Sequence, residues 1–160
     1  MTAYCPTLDG SFTVSTSVNA GSSDEAKLID RLVEDEFLRF TEPRIESLTT
    51  QIEQIAIESN REMGVGVSVP IDIDTVRQAL RFARLLPWSL PMPEIASELD
   101  GEISFDWLGP SGKMFSVSVN NAGRVAYAGR FGERSRCHGT EQLPEVCPKE
   151  IIRGIARAVR

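Results

Sequence analysis

Histidine occurs once in this 160-residue chain, at position 138, and cysteine three times, at Cys5, Cys137 and Cys147. One imidazole and no pair of thiols at ligand spacing exclude the usual zinc sites, so no metal is expected. An odd cysteine count would leave a thiol unpaired in an oxidising compartment, which points to the reduced cytoplasm and to small half-buried thiols. No apolar run approaches the ~18 residues of a membrane span. Residues 1–21 have no basic segment followed by an apolar one, so no secretory signal is expected. Gly64-Val65-Gly66 lacks the Lys-Ser/Thr of a phosphate loop, and no cofactor is expected. Excess cation is missing too: the net charge is −6, which argues against wholesale nucleic-acid binding.

What is present is a globular composition, 41% hydrophobic and 25% charged, enough for one domain with its own core. Residues 1–22 are rich in Ser, Thr, Gly and Asn, with a short alternation at Phe12 and Val14, and are read as a flexible tail. A single domain over 23–160 is expected. Ser23 or Asp24 can cap a helix whose apolar residues run Leu28, Ile29, Leu32, Val33, Phe37 and Phe40. The segment Thr41 to Pro43 is expected to break it, with Pro43 opening a second helix. There Ile45, Leu48, Ile52 and Ile55 step by three, four and three, as the seam of a helical pair does. The pair, 23–58, is read as a hairpin. A loop follows, with a short edge strand at Val65 to Val69. Asp72 or Asp74 caps a helix over 72–86, and Pro87 stops it. The run from Pro87 to Ile95 is read as an extended, rigid connector.

From Asp100 the period falls to two. Ile103, Phe105 and Trp107 share one face, then Phe115, Val117 and Val119, then Val125, Tyr127 and Phe131, with turns at Gly109–Gly112 and Asn120–Gly123. A weaker fourth strand covers Ser135 to Thr140. This is a β-meander over 101–140 whose one apolar face needs helices over it, including a C-terminal helix at 148–160 with Pro at its start. The expected class is α+β, with an N-terminal helical segment before the meander.

The sequences ALRFARLLPWSLP, PEIASELDGEISFDW, FSVSVNNAGRVAYAGRFG, HGTE and PKEIIRGIARAV resemble a widespread family of uncharacterised bacterial proteins, over roughly residues 76 to 160. The resemblance carries no established activity; what it implies is an interaction or accessory role. Relatives carry a Gly/Trp/Asp-rich segment before the third helix, where this chain has SNREMGVGVSVPI, which puts any role of that segment in doubt.

Among side chains that could carry chemistry, Arg124 and Arg130 share the outward face of the third strand, with Arg134 and Arg136 close in sequence. Together they form a candidate anion-binding set, because guanidinium forks engage phosphate and carboxylate bidentately. The alternative is cross-strand ion pairing with Glu102 and Asp106, two carboxylates that share one face. The plainest expectation for His138 is a structural hydrogen bond at the sheet edge. A ligand contact or an acid–base pair with Glu141 requires Gly139 to turn the chain back, and adjacent Cys137 and His138 point to opposite faces. The residues Ile45, Leu48, Ile52 and Ile55 either face the chain's own core or form an interface. Acidic flanks on such an interface would make a homodimer tighter at high salt. The leading expectation is a non-enzymatic module that binds another protein or itself through the N-terminal helices. Anion contact through the Arg-bearing sheet comes next, and an enzyme using His138, Glu141 and Arg136 third.

Overall fold

A computed structural model of the protein describes residues 24–61 and 69–160, with side chains along the first helix described from Thr41 onward. The order is α1 (Asp24–Arg61), α2 (Ile73–Leu85), β1 (Glu94–Ser97), β2 (Ile103–Leu108), β3 (Met114–Val119), β4 (Arg124–Arg130), β5 (Arg136–Gln142) and α3 (Lys149–Ala158). The chain divides into two compact units, Met1–Glu36 and Phe37–Arg160, and every element after α1 belongs to the second. The expected tail at 1–22, the side chains of the Leu28–Phe40 stripe, and residues 65–68 of the expected edge strand lie outside the described residues.

The meander is as the alternation predicts, with one strand more. Five antiparallel strands lie side by side in chain order. Tight turns set their register. Gly123, at φ 73°, donates its N–H to the Asn120 carbonyl, while Asn120 Oδ1 accepts the N–H groups of Ala122 and Arg124. The extra strand is β1, which pairs Glu94 with Asp106 and Ser97 with Ile103 inside what the prolines present as a connector. An edge position makes this possible, since Pro93 just before the strand withdraws no bond from its interior. The connector itself is pinned. Arg44 Nη1 and Nη2 donate to the Leu90 and Pro91 carbonyls at 2.6 and 3.2 Å, and Trp107 Nε1 donates to Pro91 at 3.0 Å.

The N-terminal reading needs correction. α1 does not break at Thr41–Pro43 and forms no hairpin; it runs through Pro43 as one helix. A proline inside a helix removes one backbone bond and crowds the preceding turn, at roughly 3 kcal/mol. Downstream attachment offsets that cost: Leu48 and Ile52 are fully buried, Ala56 nearly so, and Arg44 holds the connector. Asn60 then ties the end of α1 to the chain before α2, its side-chain amide donating to the Ile71 carbonyl and accepting the Ile71 N–H. The side chain of Asp72, not Asp74, caps α2.

One apolar face of the sheet meets α2 and α3. Ile103, Phe105, Phe115, Val117, Val119 and Val125 have no exposed surface, and Trp107 is buried with them. From α2, Phe82 meets Phe105 edge-on, with ring centroids 4.9 Å apart. From α3, Ile151, Ile155 and Ala158 are fully buried. Phe115 stands where β3 crosses α3. Its ring stacks with Tyr127 and Phe131 at 6.0 and 6.4 Å, and it occupies the space a Cβ on Gly154 would take. Beyond it, the Arg157 guanidinium lies 4.3 Å over the Phe131 ring and donates to Ser135 Oγ, fastening the β4–β5 turn to α3.

Two effects oppose each other at Gly154. Alanine would gain about 1 kcal/mol of helix propensity. Overpacking a fully buried aromatic ring costs about 1–3 kcal/mol. The Gly154→Ala protein is therefore expected to be less stable than wild type in urea denaturation. A raised midpoint would show that the ring yields and that α3 is not held at this distance by Phe115.

Candidate functional site

Because side chains alternate along a strand, the sheet has a second face, which no described helix contacts to any extent comparable with the first. Registry defines it row by row: Ser104 lies opposite Ser118, which lies opposite Ala126, which lies opposite Thr140; Asp106 leads in the same way through Ser116 and Ala128 to His138. Small side chains occupy its middle, where Ser104 is buried, Ser116, Ser118 and Ala126 are half-buried and Ala128 is exposed. Charge occupies its two sides, and the signs are separated. The outward residues of β1 and of the β2 segment include Glu94, Glu102 and Asp106, with no cation. Those of β4 and β5 include Arg124, Arg130 and Arg136, with no anion.

The four arginines singled out in the sequence do not form one cluster. Arg124 and Arg130 stand at opposite ends of β4, about 20 Å apart at ~3.3 Å per residue. Arg124 reaches over β3 to Glu102, Nη2 to Oε1 at 2.6 Å, so part of the expected cross-strand ion pairing is present. Arg134 lies in the exposed β4–β5 turn. Arg130 and Arg136 do come together: they are direct cross-strand partners, both exposed, and neither has an ion-pair partner among the described residues. Like charges held directly opposite destabilise a sheet. Asp106 is half-buried and accepts the Ser104 hydroxyl at 3.1 Å.

His138 is exposed on this face and its side chain makes no hydrogen bond among the described residues, so the structural side-chain bond expected of it is not present. β5 continues from Arg136 through Gln142 without turning at Gly139, which places His138 on the open face and Glu141, half-buried, on the other. The acid–base pair is therefore not assembled. Cys137 also faces inward, against the core. Gly139 has a different use: a Cβ there would collide with the Tyr127 hydroxyl, so the tyrosine ring lies across its cross-strand glycine. Of the candidate interface residues on α1, Leu48 and Ile52 are fully buried in the chain's own core, while Ile45 and Ile55 are half-buried.

Sequence reasoning missed Glu94, because β1 was hidden among prolines. The strict parity of charge across the meander was the signal that could have found the face. A cleft of about 540 Å³ opens elsewhere, near the β1–β2 and β3–β4 turns, beside Asp72, Thr75, Asp100, Glu102 and Asn120. Four of its acidic and amide groups are already employed: Asp72 caps α2, Asp100 and Asn120 hold turn N–H groups, and Glu102 holds Arg124. Among the described residues, no three His, Cys, Asp or Glu side chains converge as metal ligands would.

No protein-family profile, no curated protein and no solved structure matches this chain at a significant level.

Two outcomes follow from this electrostatic layout. Replacing Arg136 with Glu turns a repulsive cross-strand pair into an attractive one. Arg136→Glu should raise the melting temperature of the dilute protein, corresponding to about 0.5–1 kcal/mol, whereas a fall would show that the pair is not strained. The second concerns alkaline pH. Burial, and then the nearby Glu141 charge, push the Cys147 thiol up to about 11, and burial also raises the Tyr127 phenol, with Glu141, Glu150 and Cys137 adding to it. A thiol titrates near ~8.5 when unfolded. The stability tied to the neutral thiol is thus fully present below ~8.5 and lost as pH rises towards the folded value. Urea midpoints should fall across that window, and Cys147→Ala should reduce the fall; an unchanged slope in that variant would assign it to other groups.

Proposed function

We propose that this protein is a non-enzymatic interaction module that engages another protein surface through the open face of its sheet. One observation carries the reading: the face separates carboxylates on β1–β2 from guanidiniums on β4–β5, and leaves Arg130 and Arg136 opposed without a counter-charge among the described residues. An isolated sheet face gains stability from opposite charges placed across from each other, so a same-sign pair disfavours the free chain and favours a complementary surface. The sequence reading placed the contact on the N-terminal helices. The burial of Leu48 and Ile52 in the chain's own core moves the proposal to the sheet. An accessory role is also what the bacterial family resemblance implies. Cys137 and Cys147 are both free thiols, which suits work in the reduced cytoplasm.

A second reading has its own support. Arg130 and Arg136 side by side would suit a phosphate or carboxylate ligand, since guanidiniums bind such anions bidentately. An enzyme built on His138 and Glu141 has no comparable support, because the two residues face apart.

The variant Ala126→Arg tests the leading reading, because it places a large charge in the middle of the open face while keeping a polar-outward strand pattern. Immobilised wild-type protein is expected to retain a stoichiometric protein from a lysate of the source cell, this chain included. Ala126→Arg should retain at least about tenfold less, as a disrupted interface centre does. Equal retention by both proteins would remove the open face from the function. Loss of pyrophosphate binding in Arg130→Ala/Arg136→Ala, with protein retention intact, would favour the anion reading.

A further inference from the structure

The open face is complementary to itself, and we infer that its partner is a second copy of this chain. The inference rests on the reading of that face as an interaction surface and adds the identity of the occupant. The outward side chains run from acidic at Glu94, Glu102 and Asp106, through neutral serines on β3, to basic at Arg124, Arg130 and Arg136. Glu102 and Arg124 satisfy each other within the chain; Glu94 and Asp106 on one side, and Arg130 and Arg136 on the other, have no ion-pair partner among the described residues. Two carboxylates and two guanidiniums of one copy therefore match the unmet charges of another.

Symmetry decides how two copies meet. Sheets stacked face to face lie about 10 Å apart with strands within ~30° of each other. A two-fold axis running along β3 in the interface lays β1 and β2 of one copy over β5 and β4 of the other. The row of Glu94 and Asp106 then lies over Ala128 and His138, two residues (about 7 Å) along the strands from Arg130 and Arg136. Each carboxylate thus comes within reach of a guanidinium on both sides, and the contact closes as an isologous dimer. An axis across the strands would lay β1 on β1, setting like charges together. The charges thus select one of the two packings. The small residues at the centre, Ser116, Ser118, Ala126 and Ala128, let the sheets approach without obstruction. Five strands at ~4.8 Å and about six residues at ~3.3 Å give a face of roughly 450 Å² in projection. That is below the ~800 Å² per partner of a standard interface, so the dimer forms in the micromolar range rather than permanently.

The same charges fix the salt dependence. Opposite charges across an interface are weakened by screening, so this dimer loosens as salt rises. A seam on the acid-flanked N-terminal helices would do the reverse. Sedimentation equilibrium on four samples of the full chain tests the inference: wild type, Arg130→Glu/Arg136→Glu, Glu94→Arg/Asp106→Arg, and an equimolar mixture of the two variants. Wild type should dimerise at about 100 μM, with its dissociation constant rising at least about tenfold between ~50 and ~500 mM salt. Each variant alone should be monomeric, the charges outside its Glu102–Arg124 pair now being of one sign. The mixture should dimerise again, because a face whose unpaired charges are acidic meets one whose unpaired charges are basic. If either double variant unfolds, Ala126→Arg replaces it and should be monomeric.

A wild-type monomer at low salt overturns the inference. So does a dimer that both reversals leave intact, or a mixture that stays monomeric. Lysate retention sensitive to Ala126→Arg, in a chain that does not self-associate, would overturn only the second copy as occupant. Failure of both measurements removes the interaction reading as well.

Discussion

The ring of Phe115 sets the spacing on which the rest of the fold depends. It stands on the central strand, fully buried, and everything beside it is shaped to its edge. Gly154 on α3 and Gly129 on β4 have no side chain because the ring, together with Phe131 at position 129, fills the space. Tyr127 and Phe131 stack on it, and Arg157 closes over Phe131. An aromatic of this size contributes about 1.5–3 kcal/mol by burial alone. With α3 held in this way and α2 docked through Phe82, the helices are committed to one side of the sheet. What remains of the sheet faces outward.

How much of this the sequence discloses depends on which physical signal each element carries. The central strands alternate without interruption, so Ile103, Phe105, Trp107, Phe115, Val117, Val119 and Val125 identify the core face directly. α3 is legible from its apolar stripe and opening proline. β1 is not, because three prolines in the run from Pro87 to Pro93 read as a stiff connector, and only pairing with β2 makes Glu94–Ser97 a strand. The continuity of α1 is hidden for a related reason. Pro43 fits a first helical turn locally, and only the tertiary attachment of Arg44, Leu48 and Ile52 makes an interior position tolerable.

The candidate site was legible in its ingredients and not in its assembly. Arginines at 124, 130, 134 and 136 look like one patch along the chain. Strand geometry disperses them: it opposes 130 to 136, sends 124 to Glu102 and leaves 134 in a turn. The HGTE segment shows the opposite case. Its histidine invites a chemical reading, yet the residue with a geometric necessity is Gly139, which must be bare for Tyr127 to cross it.

An antiparallel sheet with one wet face needs no partner on that ground alone. The pattern of charge is what separates a solvated face from a recognising one. A face shaped only by solvent and fold stability would interleave its signs, since opposite cross-strand pairs help and like pairs hurt. Among the described residues a single interleaved pair, Glu102 with Arg124, exists at one end of the face, and its remaining charges are sorted by side. Sorting gives the isolated chain nothing and costs it the repulsion between Arg130 and Arg136. On the proposed reading it supplies orientation to an encounter instead, because a surface that is negative on one side and positive on the other can be met in one way round. The small central residues add no specificity of their own; they remove obstruction so that the charged sides decide the register. Stability of the isolated chain and the proposed recognition therefore make opposite demands on the same guanidinium pair.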